Sequence, residues 1–346
     1  ERADRVDRVL GRERALHIGD CTADGRVAKM SVPHVVIVGG GFGGLSAARR
    51  FRNEPVRVTL LDRRNHHLFQ PLLYQVATSA LETSSIVFPF RKRFAHAKDF
   101  YFRLGEVTRI RPESNCIETS IGSVKYDYLV IATGAETNFY GLGDVAQHAH
   151  PMKTIIDAIK LRNIIIKNFE LALLVEDEEI MNSYMDYVIV GGGPTGVELA
   201  GAISELKRHV FPRDYPELDV TKMDIHLVEA TPRLLNGMSE IAGKKALDYL
   251  RGMGVHVHLN AAVKSYDGYK VVFSNGQKLV TKTLIWAAGV KGNAVQGLDA
   301  KTLGRSSRLL VDAFNRVKGY DNVFAIGDVA LMEGDPAFPD GHPMMA

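Results

Sequence analysis

Two stretches of this chain are near copies of one another. Residues 32–51 read VPHVVIVGGGFGGLSAARRF, and residues 185–203 read MDYVIVGGGPTGVELAGAI. Each is a short apolar run, then glycines, then apolar residues at helical spacing, which predicts strand, tight turn and helix. The likeness continues downstream. Residues 100–134 and 255–289 both alternate apolar residues around turn signals, Pro112-Glu113-Ser114-Asn115 in one and Asn275-Gly276 in the other. These read as small antiparallel meanders, and each ends in an apolar strand that runs into a glycine, Gly134 or Gly289. A self-similarity of this kind outweighs any single motif. The predicted class is therefore α/β, with two Rossmann-like dinucleotide-binding domains carrying inserted antiparallel β-meanders.

At roughly 100–200 residues per domain, 346 residues accommodate two domains. The expected partition gives 32–150 to the first domain, 151–290 to the second, and 291–346 to a return into the first. That return contains YDNVFAIGDVA, one more strand ending at Gly327-Asp328. Residues 161–183 read as helix with an acidic end at 176–179. The Pro- and charge-rich residues 208–222 read as a loop insertion. Residues 1–29 are rich in Arg, Asp and Gly and lack the apolar core of a signal peptide. They read as a disordered or non-native leader, with a short solvated helix around 6–16 as the alternative.

Composition excludes several classes. A net charge of +3 is too weak for a nucleic-acid-binding field. The one dense basic run, Arg91-Lys92-Arg93, reads as a solvated face, with attraction to an anionic membrane surface as the alternative. Cys21 and Cys116 form no CxxC pair, so no dithiol centre of the thioredoxin-reductase kind is encoded, and a reducing, cytoplasmic setting fits. No apolar run reaches 18 residues, the length a transmembrane helix needs. The histidines His66, His67, His256 and His258 lack ligand partners in sequence, so no metal site is expected.

In the first copy, Gly39-x-Gly41-x-x-Gly44 follows the strand at 34–38 and opens a helix, with Phe42 and Gly43 inside the motif. One glycine makes the turn, one lets backbone approach a pyrophosphate, and one lets helix pack on strand. The helix N-terminus then favours the phosphates. The next strand, 56–61, ends in Asp62, about 20 residues on, followed by Arg63; the carboxylate can accept ribose hydroxyls. In the second copy, Gly191-x-Gly193-x-x-Gly196, with Pro194 and Thr195 inside it, follows 187–190. Its next strand, 224–228, ends in Glu229. A carboxylate there accepts from a ribose 2′-OH and repels a 2′-phosphate, which favours NADH over NADPH, although Arg233 lies close enough to soften that preference. The plain alternative for Glu229 is an exposed acid at a strand end.

Two dinucleotide sites suggest a relay from nicotinamide to flavin to a third party. An extended FAD in the first copy needs a contact from the end of the chain. Gly327-Asp328 offers one, with the following helix N-terminus facing the flavin ring. The order GGGFGGL, FQPLLYQVATSALE, YDYLVIATGAETNFYG, GGGPTGVELAG, WAAGV and VFAIGD resembles the type II NADH dehydrogenases, the non-proton-pumping NADH:quinone oxidoreductases. The resemblance runs from Val32 to the last residue. It implies that Gly39, Gly41, Gly44 and Asp62 hold the ADP half of FAD, with Val107 beside the adenine. It places Gln70, Pro71, Leu72 and Tyr74 near the flavin ring, Ala132, Thr133 and Gly134 along the pyrophosphate, and Asp328 on the ribityl chain. Gly191, Gly193, Gly196 and Glu229 would bind NADH, and Ala288 and Gly289 would flank its path to the flavin. Glu198 would be the acid at the nicotinamide end. The residues alone also allow Glu198 a purely structural role, as a first-turn carboxylate favoured by the helix dipole.

The family resemblance further implies a membrane quinone as acceptor, a peripheral position on the cytoplasmic side of the inner membrane, and a C-terminal membrane segment absent from this chain, which alone would be soluble. A homodimer is an open alternative to a monomer. Three rivals stand beside this reading. A sulfide:quinone oxidoreductase would need redox cysteines at the flavin, which Cys21 and Cys116 are poorly placed to supply. A ferredoxin- or rubredoxin-type reductase would need a protein-docking surface. A non-catalytic sensor would bind both nucleotides without turnover.

Overall fold

The computed structural model describes residues 32–334 and 342–343, so the expectations for residues 1–29 lie outside the described residues. The chain divides into two compact units. One holds the described residues up to His67, Pro89–Ala135 and the described residues from Gly292; the other holds Leu68–Phe88 and Glu136–Lys291.

In the first unit five parallel strands lie in the order Val323–Ala325, Tyr128–Ile131, His34–Val38, Arg57–Asp62, Phe100–Leu104. A parallel sheet covered on both faces needs near-continuous apolar strands, which is what HVVIV and YLVI supply. Val36, Val38, Leu61, Leu129 and Ile131 face Ile110, Ile117 and Val124 of a three-stranded antiparallel meander. Val35, Ile37, Val58, Leu60 and Val130 face Ala48, Phe90, Phe94 and Phe102 on the other side.

The second unit repeats the plan. Its five parallel strands run His150–Pro151, Thr283–Trp286, Tyr187–Val190, Ile225–Val228, His256–His258. Tyr187, Ile189, Ile225, Leu227 and Ile285 pack on helical residues such as Leu161, Phe169, Leu199 and Ile203. Val188, Val190, Val228, Leu284 and Trp286 pack on Val263, Tyr266, Val271 and Phe273 of a second meander. The predicted class is thus observed, twice over.

Four expectations change. Phe100–Leu104 and His256–His258 belong to the parallel sheets, not to the meanders, which comprise Val107–Lys125 and Val263–Val280 in three strands each. Residues 161–183 are two helices, Ile155–Ala172 and Glu178–Met185. The acidic stretch 176–179 runs from the break into the first turn of the second helix, which Asp177 caps by accepting from the Ile180 N–H at 3.0 Å. Residues 208–222 are not a bare loop. The fingerprint helix runs on to His209, a short helix spans Phe211–Asp214, a 3₁₀ turn spans Val220–Lys222, and Phe211, Leu218 and Val220 are buried. Finally, residues 68–88 and 136–150 cluster with the second unit, where 32–150 had been expected to form one piece. The cause is burial: Leu68, Leu73, Val76, Ala77 and Ile86 lie in the core with Leu161 and Ile165, Val145 packs with Val263, and His150–Pro151 adds a strand beside Thr283–Trp286.

Candidate functional site

The two glycine fingerprints are built alike to within a few tenths of an ångström. Gly39 and Gly191 have φ of +99° and +112°, open to glycine and strained for any other residue. A Cβ on Gly39 would also stand 2.4 Å from the Ala132 oxygen, and one on Gly191 would stand 2.8 Å from the Ala287 oxygen and the Ala288 Cα. Each turn therefore closes on the end of the neighbouring strand. A Cβ on Gly44 would lie 1.8 Å from the Gly39 oxygen, and one on Gly196 would lie 1.9 Å from the Gly191 oxygen. These third glycines let the helix touch the turn.

The middle glycines differ from both. Around Gly41 and Gly193 nothing lies within 4 Å of where a Cβ would be. Both are N-cap residues in extended backbone, with no side-chain cap on the helix behind them. The backbone is thus open beside Gly41 and Gly193 at the start of each helix, where first-turn N–H groups (from Thr195 onward in the second, because Pro194 has none) suit an anion such as a pyrophosphate. Phe42 is exposed there, Gly43 is half-buried, and Pro194 and Thr195 form the first turn of the second helix.

Backbone and carboxylate bonds match across the copies. The Gly39 N–H donates to the Leu61 oxygen, and the Gly191 N–H to the Val228 oxygen, each at 2.8 Å. Asp62 Oδ2 accepts from the Gly40 N–H at 2.6 Å and its Oδ1 from the Arg64 N–H at 2.7 Å. Glu229 Oε2 accepts from the Gly192 N–H at 2.6 Å and its Oε1 from the Thr231 N–H at 2.8 Å. Each carboxylate is thereby fixed at the mouth of its loop. An ionised carboxylate offers about four lone-pair positions, so two bonds leave capacity for ribose hydroxyls. Arg63 is exposed. Arg233, the candidate counter-charge to Glu229, is held in its own loop: Nε donates to Asn236 Oδ1 at 2.9 Å and Nη2 to the Asn236 oxygen at 2.7 Å.

Other predicted residues fall as follows. Thr133 Oγ1 donates to the Asn293 oxygen at 2.6 Å, and the Asn293 N–H donates to the Gly134 oxygen, which ties the end of Tyr128–Ile131 to the returning chain. Gly327 is buried and Asp328 half-buried; the Asp328 carbonyl accepts from Arg308 Nε at 2.9 Å. No helix follows them among the described residues. Gly327–Val329 is one 3₁₀ turn leading into the strand Ala330–Met332, so the expected helix N-terminus is replaced by a single turn. Val107 is half-buried and opens the first meander opposite Thr119. Gln70, Pro71 and Leu72 form a 3₁₀ turn before the helix Leu73–Ala77; they and Tyr74 belong to the second unit, where Leu72 and Tyr74 pack on its core. Ala288 packs beside Trp286, and Gly289 lies under the Tyr140 ring, whose hydroxyl would stand 1.9 Å from a Cβ at that position.

Glu198 is the fifth residue of Pro194–His209, one position beyond the first turn expected for it, so the dipole alone explains it less well. Its side chain is exposed, and partial desolvation raises its carboxyl above the usual range. His67 has no metal-ligand partners in sequence, and its role is a structural one. In the structure its Nδ1 lies 3.0 Å from the Gly40 oxygen, and its ring meets Phe42 edge-on at 5.0 Å. Nothing in the motif signals this contact. Among the described residues no cluster of His, Cys, Asp or Glu could hold a metal ion, and no helix is long and apolar enough to cross a membrane. Cys116 is buried in the first meander, opposite Arg111 and Lys125.

Comparison with known proteins follows the same lines. Residues 33–346 match the family model described as pyridine nucleotide-disulphide oxidoreductase. The chain is 36% identical over 323 residues to a type II NADH:quinone oxidoreductase, Ndh, of Mycobacterium tuberculosis, covering 89% of this chain and 69% of that one. The structure of NDH2 from Plasmodium falciparum in complex with NADH superposes with a TM-score of 0.80 at 25% identity, covering 87% of this chain and 65% of that one. A sulfide:quinone oxidoreductase from Aquifex aeolicus shares the fold, at a TM-score of 0.70 and 22% identity. The chain thus spans about two thirds of the length of the proteins it matches.

Proposed function

Because this chain belongs to the pyridine nucleotide-disulphide oxidoreductase family and, within it, to the type II NADH:quinone oxidoreductases, we propose that it oxidises NADH through FAD and passes two electrons to a membrane quinone. The observation that carries the proposal is the doubled cradle: an open glycine at each helix N-terminus, Gly41 and Gly193, with a fixed carboxylate beside it, Asp62 and Glu229.

FAD is assigned to the first unit and NADH to the second. Gly39, Gly41, Gly44 and Asp62 hold the ADP half of FAD, Val107 the adenine edge, Thr133 and Gly134 the pyrophosphate region, and Asp328 the ribityl chain. Gln70, Pro71, Leu72 and Tyr74 are the ring-side residues. When bound, FAD supplies the two-electron acceptor for NADH, and the protein contributes binding and orientation. On the nucleotide side, Gly191, Gly193 and Gly196 take the pyrophosphate, Glu229 takes the ribose hydroxyls, and Ala288 and Gly289 line the way to the nicotinamide. Glu198 is the acid at the nicotinamide end; partial desolvation raises its carboxyl pKa above the ordinary value. The protein works peripherally, on the cytoplasmic face of the inner membrane, where its quinone is dissolved.

Selectivity for NADH is the sharpest consequence. Arg233 keeps its charge, but its guanidinium is tied to Asn236, and Glu229 is the carboxylate beside the loop that repels a 2′-phosphate. Glu229→Gln keeps an oxygen for the Gly192 N–H and removes the charge. The NADPH-to-NADH ratio of kcat/KM is expected to rise about tenfold or more, equivalent to about 1.4 kcal/mol. An unchanged ratio in a folded variant contradicts the assignment of NADH to this loop.

A further inference from the structure

The two fingerprint loops are held by the same bonds at every point but one. Gly40 and Gly192 each sit between two peptide planes. The plane before each is fixed by a carboxylate, through Gly40 N–H to Asp62 and Gly192 N–H to Glu229. The plane after each is fixed through its carbonyl. In the second copy that carbonyl, Gly192 O, accepts from the Leu235 backbone N–H at 2.8 Å. In the first copy no backbone donor among the described residues occupies this position; Gly40 O faces His67 Nδ1 at 3.0 Å.

This difference has a structural effect on the open amide. The C=O and N–H of one trans peptide point in opposite directions, and no peptide bond among the described residues is cis. Holding Gly40 O therefore directs the Gly41 N–H away from His67. Gly41 is the N-cap residue whose surroundings are open. A plane flanked by Gly40 and Gly41 has no Cβ on either side to resist rotation, so without the bond it samples other orientations. Because Gly40 O can only accept, the proton of His67 is on Nδ1. The ring is further oriented by its edge-on contact with Phe42.

We infer that His67 is a positioning residue of the first fingerprint, taking the part that a backbone amide plays in the second, and that it pre-orients the Gly41 N–H for the pyrophosphate of the bound dinucleotide. The inference rests on the assignment of FAD to the first unit.

The test compares His67→Phe, which keeps a ring against Phe42 and removes the donor, with His67→Asn, whose side-chain amide places an N–H near the former Nδ1. Full-length protein is stripped of flavin and titrated with FAD by flavin fluorescence; NADH affinity and the melting of the flavin-free protein are measured beside it. His67→Phe is expected to bind FAD roughly tenfold more weakly, with NADH affinity within about twofold of wild type and melting unchanged. His67→Asn is expected to recover most of the loss. Wild-type FAD affinity in His67→Phe, no recovery in His67→Asn, or parallel losses of FAD and NADH would each overturn the inference. Should His67→Phe fail to fold, ¹⁵N spectra of the wild-type ring decide: an Nδ1–H tautomer in flavin-free protein supports the contact, and an Nε2–H tautomer overturns it. Failure of the wild type to bind FAD at all is a different result, and it sinks the proposed function first.

Discussion

Adding one methyl group at Gly196 and one at Gly193 is expected to have opposite consequences, although the residues are three apart on one loop. At Gly196 the new Cβ would lie 1.9 Å from the Gly191 oxygen, short by about 1.5 Å of the 3.4 Å at which ordinary contact begins. The obstructing atom is backbone, in a turn fixed by the Gly191 N–H bond to Val228 and by its closure on Ala287, so it cannot swing aside as a side chain would. The helix Pro194–His209 must lift off the sheet that buries Leu199 and Ile203. Overpacking of a tight core costs about 1–3 kcal/mol, and a backbone obstruction of this size belongs at the top of that range. For a unit of this size, about 3 kcal/mol corresponds to a loss of roughly 6–12 °C in Tm. Gly193→Ala meets nothing within 4 Å, and its φ of −75° and ψ of −179° suit alanine, so Tm is expected to stay within about 2 °C. The methyl group instead occupies the open face assigned to the pyrophosphate, and NADH affinity is expected to fall about tenfold or more. Scanning calorimetry and NADH titration of both variants, flavin-free, make the comparison. Equal melting of Gly196→Ala and wild type, or equal destabilisation by both substitutions, would refute the division of labour among the glycines.

Three further outcomes follow from the same geometry. Desolvation, reinforced by the charge of Asp224 and opposed by the hydrogen bond from its N–H, raises the Asp186 carboxyl to about 7. A raised carboxyl favours the protonated folded state, so its contribution is present below about pH 4 and is lost as pH climbs towards 7. Asp186→Asn should therefore gain stability relative to wild type across that window, by on the order of a few kcal/mol, and a difference that is flat in chemical melts from pH 4 to 8 contradicts this. Thr154 caps Ile155–Ala172 in a reciprocal box with Asp157, at 3.2 Å and 2.8 Å; Thr154→Ala should cost about 1 kcal/mol in urea melts, and no change would show the cap to be idle. Asp62→Ala frees the Gly40 N–H and should weaken FAD more than NADH in parallel titrations; equal losses would detach Asp62 from the FAD loop.

Much of this was legible because the informative residues act locally. Strand bounds at His34–Val38 and Tyr187–Val190 follow from apolar runs stopped by glycine, and the jobs of Gly39 and Gly44 follow from spacing alone. What was not legible depends on distant packing. Residues 208–222 carry Pro212, Pro216 and many charges, which signal a loop, yet Phe211 stacks on Phe169 at 4.0 Å and draws the segment into the core. The stretch 68–88 lies in sequence between strands of the first unit, and only the apolar faces of Ile155–Ala172 and Pro194–His209 explain why it joins the second. Glu198 lies one residue outside the first turn, because the helix starts at Pro194 and not at Thr195 or later. The His67 contact had no sequence signal at all: its counterpart in the second copy is a backbone N–H, and no comparison of side chains reveals that.

The central claim is that one chain holds FAD and NADH and delivers the electrons to quinone. Its most direct test is anaerobic stopped-flow mixing of FAD-loaded protein with NADH, and separately with NADPH, followed by a short-chain quinone. The account predicts rapid flavin bleaching by NADH, much slower bleaching by NADPH, and recovery of flavin absorbance when quinone is added. A flavin that NADH fails to bleach, or one bleached by NADH that quinone fails to reoxidise, would contradict it.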